Sequence, residues 1–175
     1  MAPRPEPTGR ERVLPEDELI VSKTDPSGVI RYANRTFCDL AGYSEEELLG
    51  APHSIVRHPA MPRAVFAHLW SELEAGREVF AYVVNLAKDG DHYWVLAHVT
   101  PTFGDDGGLE AYHSTRRHPS ETAVVVMEDL YGRMCAAERR AGPGPSGIEA
   151  GVAVLESDLA EAGLTYEQFI FSLAD

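Results

Sequence analysis

Read by the spacing of its apolar positions, the chain divides into a region of short strands and helices followed by a purely helical stretch. Leu19-Ile20-Val21, the polar turn Asp25-Pro26-Ser27-Gly28 and the run Val29-Ile30-Arg31-Tyr32 predict a first hairpin. Phe37, Leu40 and Ala41 predict a short helix that Gly42 ends. Ser44 with Glu47 three residues on has the capping-box form and predicts a two-turn helix closed by Gly50. Val65, Leu69 and Leu73 recur at i, i+4 and i+8, with Phe66 and Trp70 on the adjoining stripe, until Gly76 stops the helix. So wide an apolar arc needs a sheet on one side and leaves room for a ligand on another.

From Val79 the period changes to two. Val79–Leu86, Tyr93–Phe103 and Leu109–Arg117 are rich in β-branched and aromatic residues, and Asp89-Gly90 and Asp105-Asp106-Gly107-Gly108 separate them as hairpin turns. Two strands, several short helices and three more strands make an α+β order. On the middle strand Tyr93, Val95, Ala97 and Val99 form the core-like face, which sends His92, Trp94 and His98 towards solvent or the helical stretch. After Pro119, Val124, Met127, Tyr131 and Met134 keep helical spacing up to the break Gly142-Pro143-Gly144-Pro145. A second helix, capped by Ser146 with Glu149, and a third, capped by Thr165 with Gln168, follow. The expected organisation is a flexible arm over 1–16, a sensor domain over 17–118 and a helical appendage over 119–175.

Composition narrows the partners. A formal charge of −13 argues against nucleic acid, which needs clustered Lys and Arg. No apolar run approaches the ~20 residues that span a bilayer, and the first residues lack the apolar core of a signal peptide, so no membrane insertion and a cytoplasmic location are expected. Cys38 and Cys135 show neither a CxxC nor a zinc arrangement. No GxSxG, P-loop, GxGxxG or HExxH element is present, so no catalytic residue and no metal ligand is assigned.

The chemistry gathers in His53-Ser54-Ile55-Val56-Arg57-His58-Pro59-Ala60-Met61-Pro62. Two prolines bend this segment and hold Arg57 and His58 on a fixed element. A guanidinium fork suits phosphate or carboxylate oxygens and an imidazole can stack beside it, so a pyrophosphate-bearing ligand is one reading. The other is an Arg57 salt bridge to a surface glutamate, with His58 capping the proline turn. Asn34, between a strand and a helix, has an N-cap as its simplest role. Asn85, in an apolar strand, needs partners for both ends of its amide if buried. Phe66 and Trp70 stand equally as core or as ligand contacts.

These residues, with Asn34-Arg35-Thr36-Phe37, Ala41-Gly42-Tyr43-Ser44, Glu47-Leu48-Leu49-Gly50 and KDGDHYWV, resemble the sensory PAS domain of the bacterial aerotaxis receptor type over about 17–118. The resemblance implies a PAS fold, a five-stranded antiparallel sheet with short helices on one face, followed here by the appendage. It also implies a redox or oxygen sensor that binds FAD non-covalently. Arg57, His58, Asn34, Asn85, Phe66 and Trp70 match cofactor-site positions, while the aspartate usual two residues after the histidine is Ala60 here. His53 is added as a candidate. His113 is another, standing near the flavin or as a satisfied or exposed histidine.

Two alternatives remain open: a haem-binding gas sensor with His53, His58 or His68 as axial ligand, and a cofactor-free interaction module. Light-sensing relatives use an adduct-forming cysteine on the helix before the clamp, and no cysteine lies between Cys38 and Cys135. With no kinase, cyclase or anchored signalling helix legible, output is expected by contact. The appendage would pair with a second copy or dock on a chemotaxis receptor or kinase.

Overall fold

Strands with alternating apolar residues pair into one antiparallel sheet in the computed structural model, which describes residues 4–174. β1 (Ile20–Thr24) and β2 (Ile30–Ala33) form the first hairpin, and β3 (Val79–Leu86), β4 (His92–Phe103) and β5 (Leu109–Arg117) form a meander. The order β2-β1-β5-β4-β3 puts the first strand beside the last, with Ser22 opposite Ser114 and Val84 opposite Trp94. Between β2 and β3 run α1 (Arg35–Ala41), α2 (Glu45–Leu48), a 3-10 turn (His53–Val56) and α3 (Arg63–Glu74). α4 (Glu121–Ala141), α5 (Pro145–Ala162) and α6 (Tyr166–Ser172) follow the sheet. The α+β architecture expected from the sequence is the one found.

Local signals hold where local bonds decide. Ser44 and Glu47 close their capping box reciprocally, as do Thr165 and Gln168, and Gly42 ends α1 at φ 72°. Two helix boundaries differ. α2 is one turn long instead of two, because Gly50 N donates to Ile30 O and Ile30 N to Ala51 O (both 2.9 Å), which ties the chain to β2. α5 starts at Pro145 rather than after a Ser146 cap: proline suits the first helical position, where its missing N–H needs no partner, and Ser146 Oγ donates to Ala141 O instead.

The sheet has a core on each face. On the inner face Ile20, Ile30, Phe37, Leu48, Tyr93 and Val95 bury one cluster with α1 and α2. On the outer face Tyr82, Val84, Trp94 and Leu96 bury a second with Met127, Leu130, Tyr131 and Met134 of α4, Leu155 of α5 and Ile170 of α6. Trp94 therefore points to the appendage, stacked on Tyr131 with ring centroids 6.0 Å apart. The apolar stripes of α4–α6, expected to await a partner, are covered largely by this same chain. α3 gives Ala64 and Val65 to the outer cluster and Leu73 to a small third one with Val79 and Tyr112. Its first turn has no cap of its own: the buried Glu138 of α4 accepts from Ala64 N (2.9 Å), Arg63 N (3.1 Å) and Arg63 Nε (3.2 Å).

β3 is an edge strand, and its exposed backbone is covered. Tyr131 OH donates to Tyr82 O at 2.6 Å, Val84 N to Met61 Sδ at 3.4 Å, and Arg57 makes an isolated bridge to Asn85.

Much of the expected arm lies against the sheet; residues 1–3 of it lie outside the described residues. Arg12 N donates to His92 O (2.7 Å), His92 N to Arg10 O (2.9 Å) and Thr8 N to Gly90 O (2.9 Å), and Leu14 is buried. The cause is long-range charge: Arg10 and Arg12 pair with Asp91, and Arg12 also with Asp89, on the turn joining β3 and β4.

Candidate functional site

Period-two alternation aims one set of side chains from four strands at the inner helices, and where α3 stands off the sheet they enclose a cavity of about 200 Å³. β1 contributes Ser22 and Thr24, β3 Val83 and Asn85, β4 Ala97 and Val99, and β5 Tyr112, Ser114 and Arg116. The facing wall is Phe66, Leu69, Trp70 and Leu73, one stripe of α3 at i, i+3, i+4 and i+7. His53, Ser54 and Arg57 close one end. Trp70 meets Tyr112 edge-on at 5.3 Å and is 38% exposed, so it stands at the rim.

The cavity's polarity is unusual for its depth. Asn85 Nδ2, Ser114 Oγ and Arg116 Nη1 are buried without a hydrogen-bond partner. A bond left unmade at such a group costs about 1–3 kcal/mol, so the cavity wall carries three polar atoms, two of them N–H donors, whose bonding capacity the described residues leave unused. Arg116 is the extreme case. Its Nη2 donates to Ser22 Oγ (2.7 Å) and His53 Nε2 (2.6 Å), its guanidinium lies 5.1 Å over Phe37, and no carboxylate reaches it among the described residues. Burial pushes its pKa down to about 10. This is a cation held by neutral partners, beside a cavity.

His53 is correspondingly neutral. Because Nε2 accepts from Arg116, the ring proton sits on Nδ1, and burial, then the Arg116 charge, press the pKa down to about 3. The unfolded chain, with a pKa near 6.5, binds a proton there that the folded chain refuses. Stability is thus full above pH 6.5 and falls as the pH drops towards 3. Denaturant midpoints taken from pH 7 to 4 should decline more steeply in the parent than in His53→Gln; equal slopes would contradict this placement.

The structure brings together Arg57, Asn85, Phe66, Trp70 and His53 of the sequence candidates, and leaves three apart. Asn34 is the N-cap of α1, accepting from Phe37 N (3.1 Å) and Val21 N (3.0 Å) while donating to Leu19 O (2.7 Å), so its amide is spent. His58 turns away from Arg57: its Nδ1 accepts from Ala60 N (3.1 Å) and its ring faces His92 across 5.9 Å, in a cleft between the N-terminal residues and α4. The bend at Pro59 sends the two side chains to different sides, so they do not form one clamp. His113 lies on the outer face of β5, out of phase with Tyr112 and Ser114. Arg57 itself stacks on Phe66, with its guanidinium carbon 4.3 Å from the ring centroid, at the cavity's mouth.

Arg116 and Ser114 were not singled out by sequence reasoning. The signal existed: with Tyr112 they recur at every second position of the last strand. Two of the three axial candidates for haem are engaged elsewhere: His53 Nε2 accepts from Arg116, and His68 packs on Tyr166 with ring centroids 4.5 Å apart, outside the cavity wall.

Comparison with known proteins agrees with the architecture. Residues 30–116 match a family described as the PAS fold. The chain is 38% identical over 131 residues, 75% of its length, to the aerotaxis receptor of Escherichia coli (strain K12), of which it spans 26%. It is 33% identical over 91 residues, 52% of its length, to a blue-light-activated histidine kinase of Rhizobium johnstonii, again spanning 26% of that protein. A solved structure of the blue-light photoreceptor Aureochrome1 LOV superposes with a TM-score of 0.57 at 22% identity, covering 65% of this chain and 91% of that one. The chain thus spans about a quarter of the curated relatives it matches, and among the described residues no helix is long and apolar enough to cross a membrane.

Proposed function

Residues 30–116 form a PAS domain, and on that premise we propose that the inner cavity holds a flavin, as FAD, non-covalently, and that the protein senses redox state or oxygen. The observation that carries this reading is the row of unpartnered polar atoms, Asn85 Nδ2, Ser114 Oγ and Arg116 Nη1, on the cavity wall opposite the aromatic side chains of α3. A planar heteroaromatic ring needs flat apolar walls and, along one edge, donors for its acceptors. Phe66 and Trp70 supply the first, Asn85, Ser114 and Arg116 the second. Ala60, where related domains carry an aspartate, does not line the cavity, so that departure leaves the ring site intact.

A bound flavin would supply the redox chemistry, and the chain's own residues would read it. Asn85 can present either end of its amide, so it is the group that must re-pair when the ring edge exchanges an acceptor for a donor. An unmade bond there costs about 1–3 kcal/mol, enough to bias a two-state arrangement. Asn85 stands on β3 three residues from Tyr82, whose carbonyl holds Tyr131 of α4, and beside Val84, which pairs with Trp94. A shift at Asn85 thus meets the appendage through the edge strand. Output by contact with a second copy, a chemotaxis receptor or a kinase would use the outer surface of α4–α6, where Val125 is 67% exposed.

Absorbance of the freshly purified protein tests this. We expect the two long-wavelength bands of oxidised flavin, bleached by dithionite and released intact on denaturation. A Soret band would replace the reading by haem, and colourless protein that takes up no added flavin would leave only an interaction module.

A further inference from the structure

A second cleft, of about 650 Å³, opens where the cavity ends, and Arg57 belongs to both. Its walls carry Arg4, Arg57, Arg63 and Arg139 against a single carboxylate, Glu138. In a chain of formal charge −13 this is a concentration against the trend. Glu138 is already spent on the first turn of α3 and on Arg63. Arg63 is engaged further by Gly142 O at 3.2 Å. Arg4, Arg57 and Arg139 have no carboxylate within salt-bridge distance among the described residues. Burial and then the charge of Arg4 lower the pKa of Arg57, which places the two guanidinium groups within reach of each other's field.

The connection to the cavity is direct. Arg4 Nη2 donates to Ser54 O at 3.2 Å, and Ser54 and Arg57 both line the cavity. The cavity itself, at about 200 Å³, suits a ring system and not a whole dinucleotide. A group attached to that ring and leaving past Ser54 and Arg57 enters this cleft directly.

Building on the flavin reading, we propose that this cleft is a diphosphate site, in which Arg4, Arg57 and Arg139 bind the phosphoryl groups of the ligand whose ring fills the cavity. Guanidinium forks match phosphoryl oxygens in charge and geometry, and a diphosphate spans more than one of them. The three arginines come from the N-terminal residues, the sensor domain and α4 of the appendage, so one ligand ties together three separate parts of the chain. Selection of a dinucleotide is then a property of the segments outside the sheet.

Titration of flavin-stripped full-length protein with riboflavin, FMN and FAD, at low and high salt, reads this out. The parent should bind FAD on the order of tenfold or more tighter than riboflavin, with the advantage shrinking in salt. In the double variant Arg4→Ala/Arg139→Ala, both exposed positions, FAD should weaken on the order of tenfold while riboflavin stays within about twofold. Inorganic diphosphate should compete with FAD but not with riboflavin, which separates a site for the ligand's own phosphates from a site for a free anion that coexists with FAD. Equal affinity of the parent for all three flavins, or equal loss of riboflavin and FAD in the variant, would overturn the diphosphate site and leave the ring site standing. Absence of any flavin binding would overturn both.

Discussion

Replacing Arg116 by methionine should separate binding from stability, weakening flavin on the order of 10- to 100-fold while leaving the ligand-free protein as stable as the parent or more so. The first effect follows from losing a charged donor aimed into the cavity. The second follows from the cost of keeping that cation buried. Its pKa is lowered from 12.5 to about 10, a penalty of roughly 3 kcal/mol at neutral pH that eases only as the pH rises above 10. The remaining partners, Ser22 Oγ and His53 Nε2, are weak claims against it. Flavin titration and denaturant unfolding of the same variant measure the two effects. A variant that loses several kcal/mol of stability and keeps its flavin affinity would show that Arg116 is structural.

Tyr131→Ala should destabilise the whole chain by about 3–5 kcal/mol, because it removes a buried ring from the seam between sheet and appendage. Tyr131→Phe isolates the hydroxyl, which caps the edge-strand carbonyl of Tyr82 at 2.6 Å, and should cost about 1–3 kcal/mol. If α4–α6 were an independent module, Tyr131→Ala would melt the appendage alone and split the unfolding transition in two. A single shifted transition, followed by circular dichroism and by the fluorescence of Trp70 and Trp94, is the expected result. It would also show that β3 and α4 move as one unit, which transmission from Asn85 requires.

What the sequence disclosed followed the range of the interactions. Hairpins, the capping boxes at Ser44 and Thr165 and the αL glycine at Gly42 are settled within a few residues, and they were legible. The aromatic wall was legible too, since Phe66 and Trp70 recur with the period of their helix. Of the two readings of His58 the local one, capping the proline turn, matches the bond from Ala60 N; spacing cannot say to which side a proline bend throws each neighbour. For Asn34 and His113 the simpler of the two readings matches the geometry: the first caps α1, and strand phase puts the second on the outer face. Residues 4–16 looked mobile because the carboxylates that fix them, on Asp89 and Asp91, lie some eighty positions away. Arg116 stayed hidden because a cation is not expected in a core. Local rules fail there, at the position that gives the cavity its charge.

The claim on which these readings depend is that the polar row Asn85, Ser114 and Arg116 is completed by a flavin ring. Equilibrium titration of the folded, flavin-stripped protein with riboflavin, followed by quenching of flavin fluorescence, tests it without help from the phosphate cleft. One ring bound per chain, with affinity reduced in Asn85→Ala and in Arg116→Met, is the predicted result. Unquenched riboflavin in the presence of excess folded protein, or quenching that both variants leave unchanged, would contradict it.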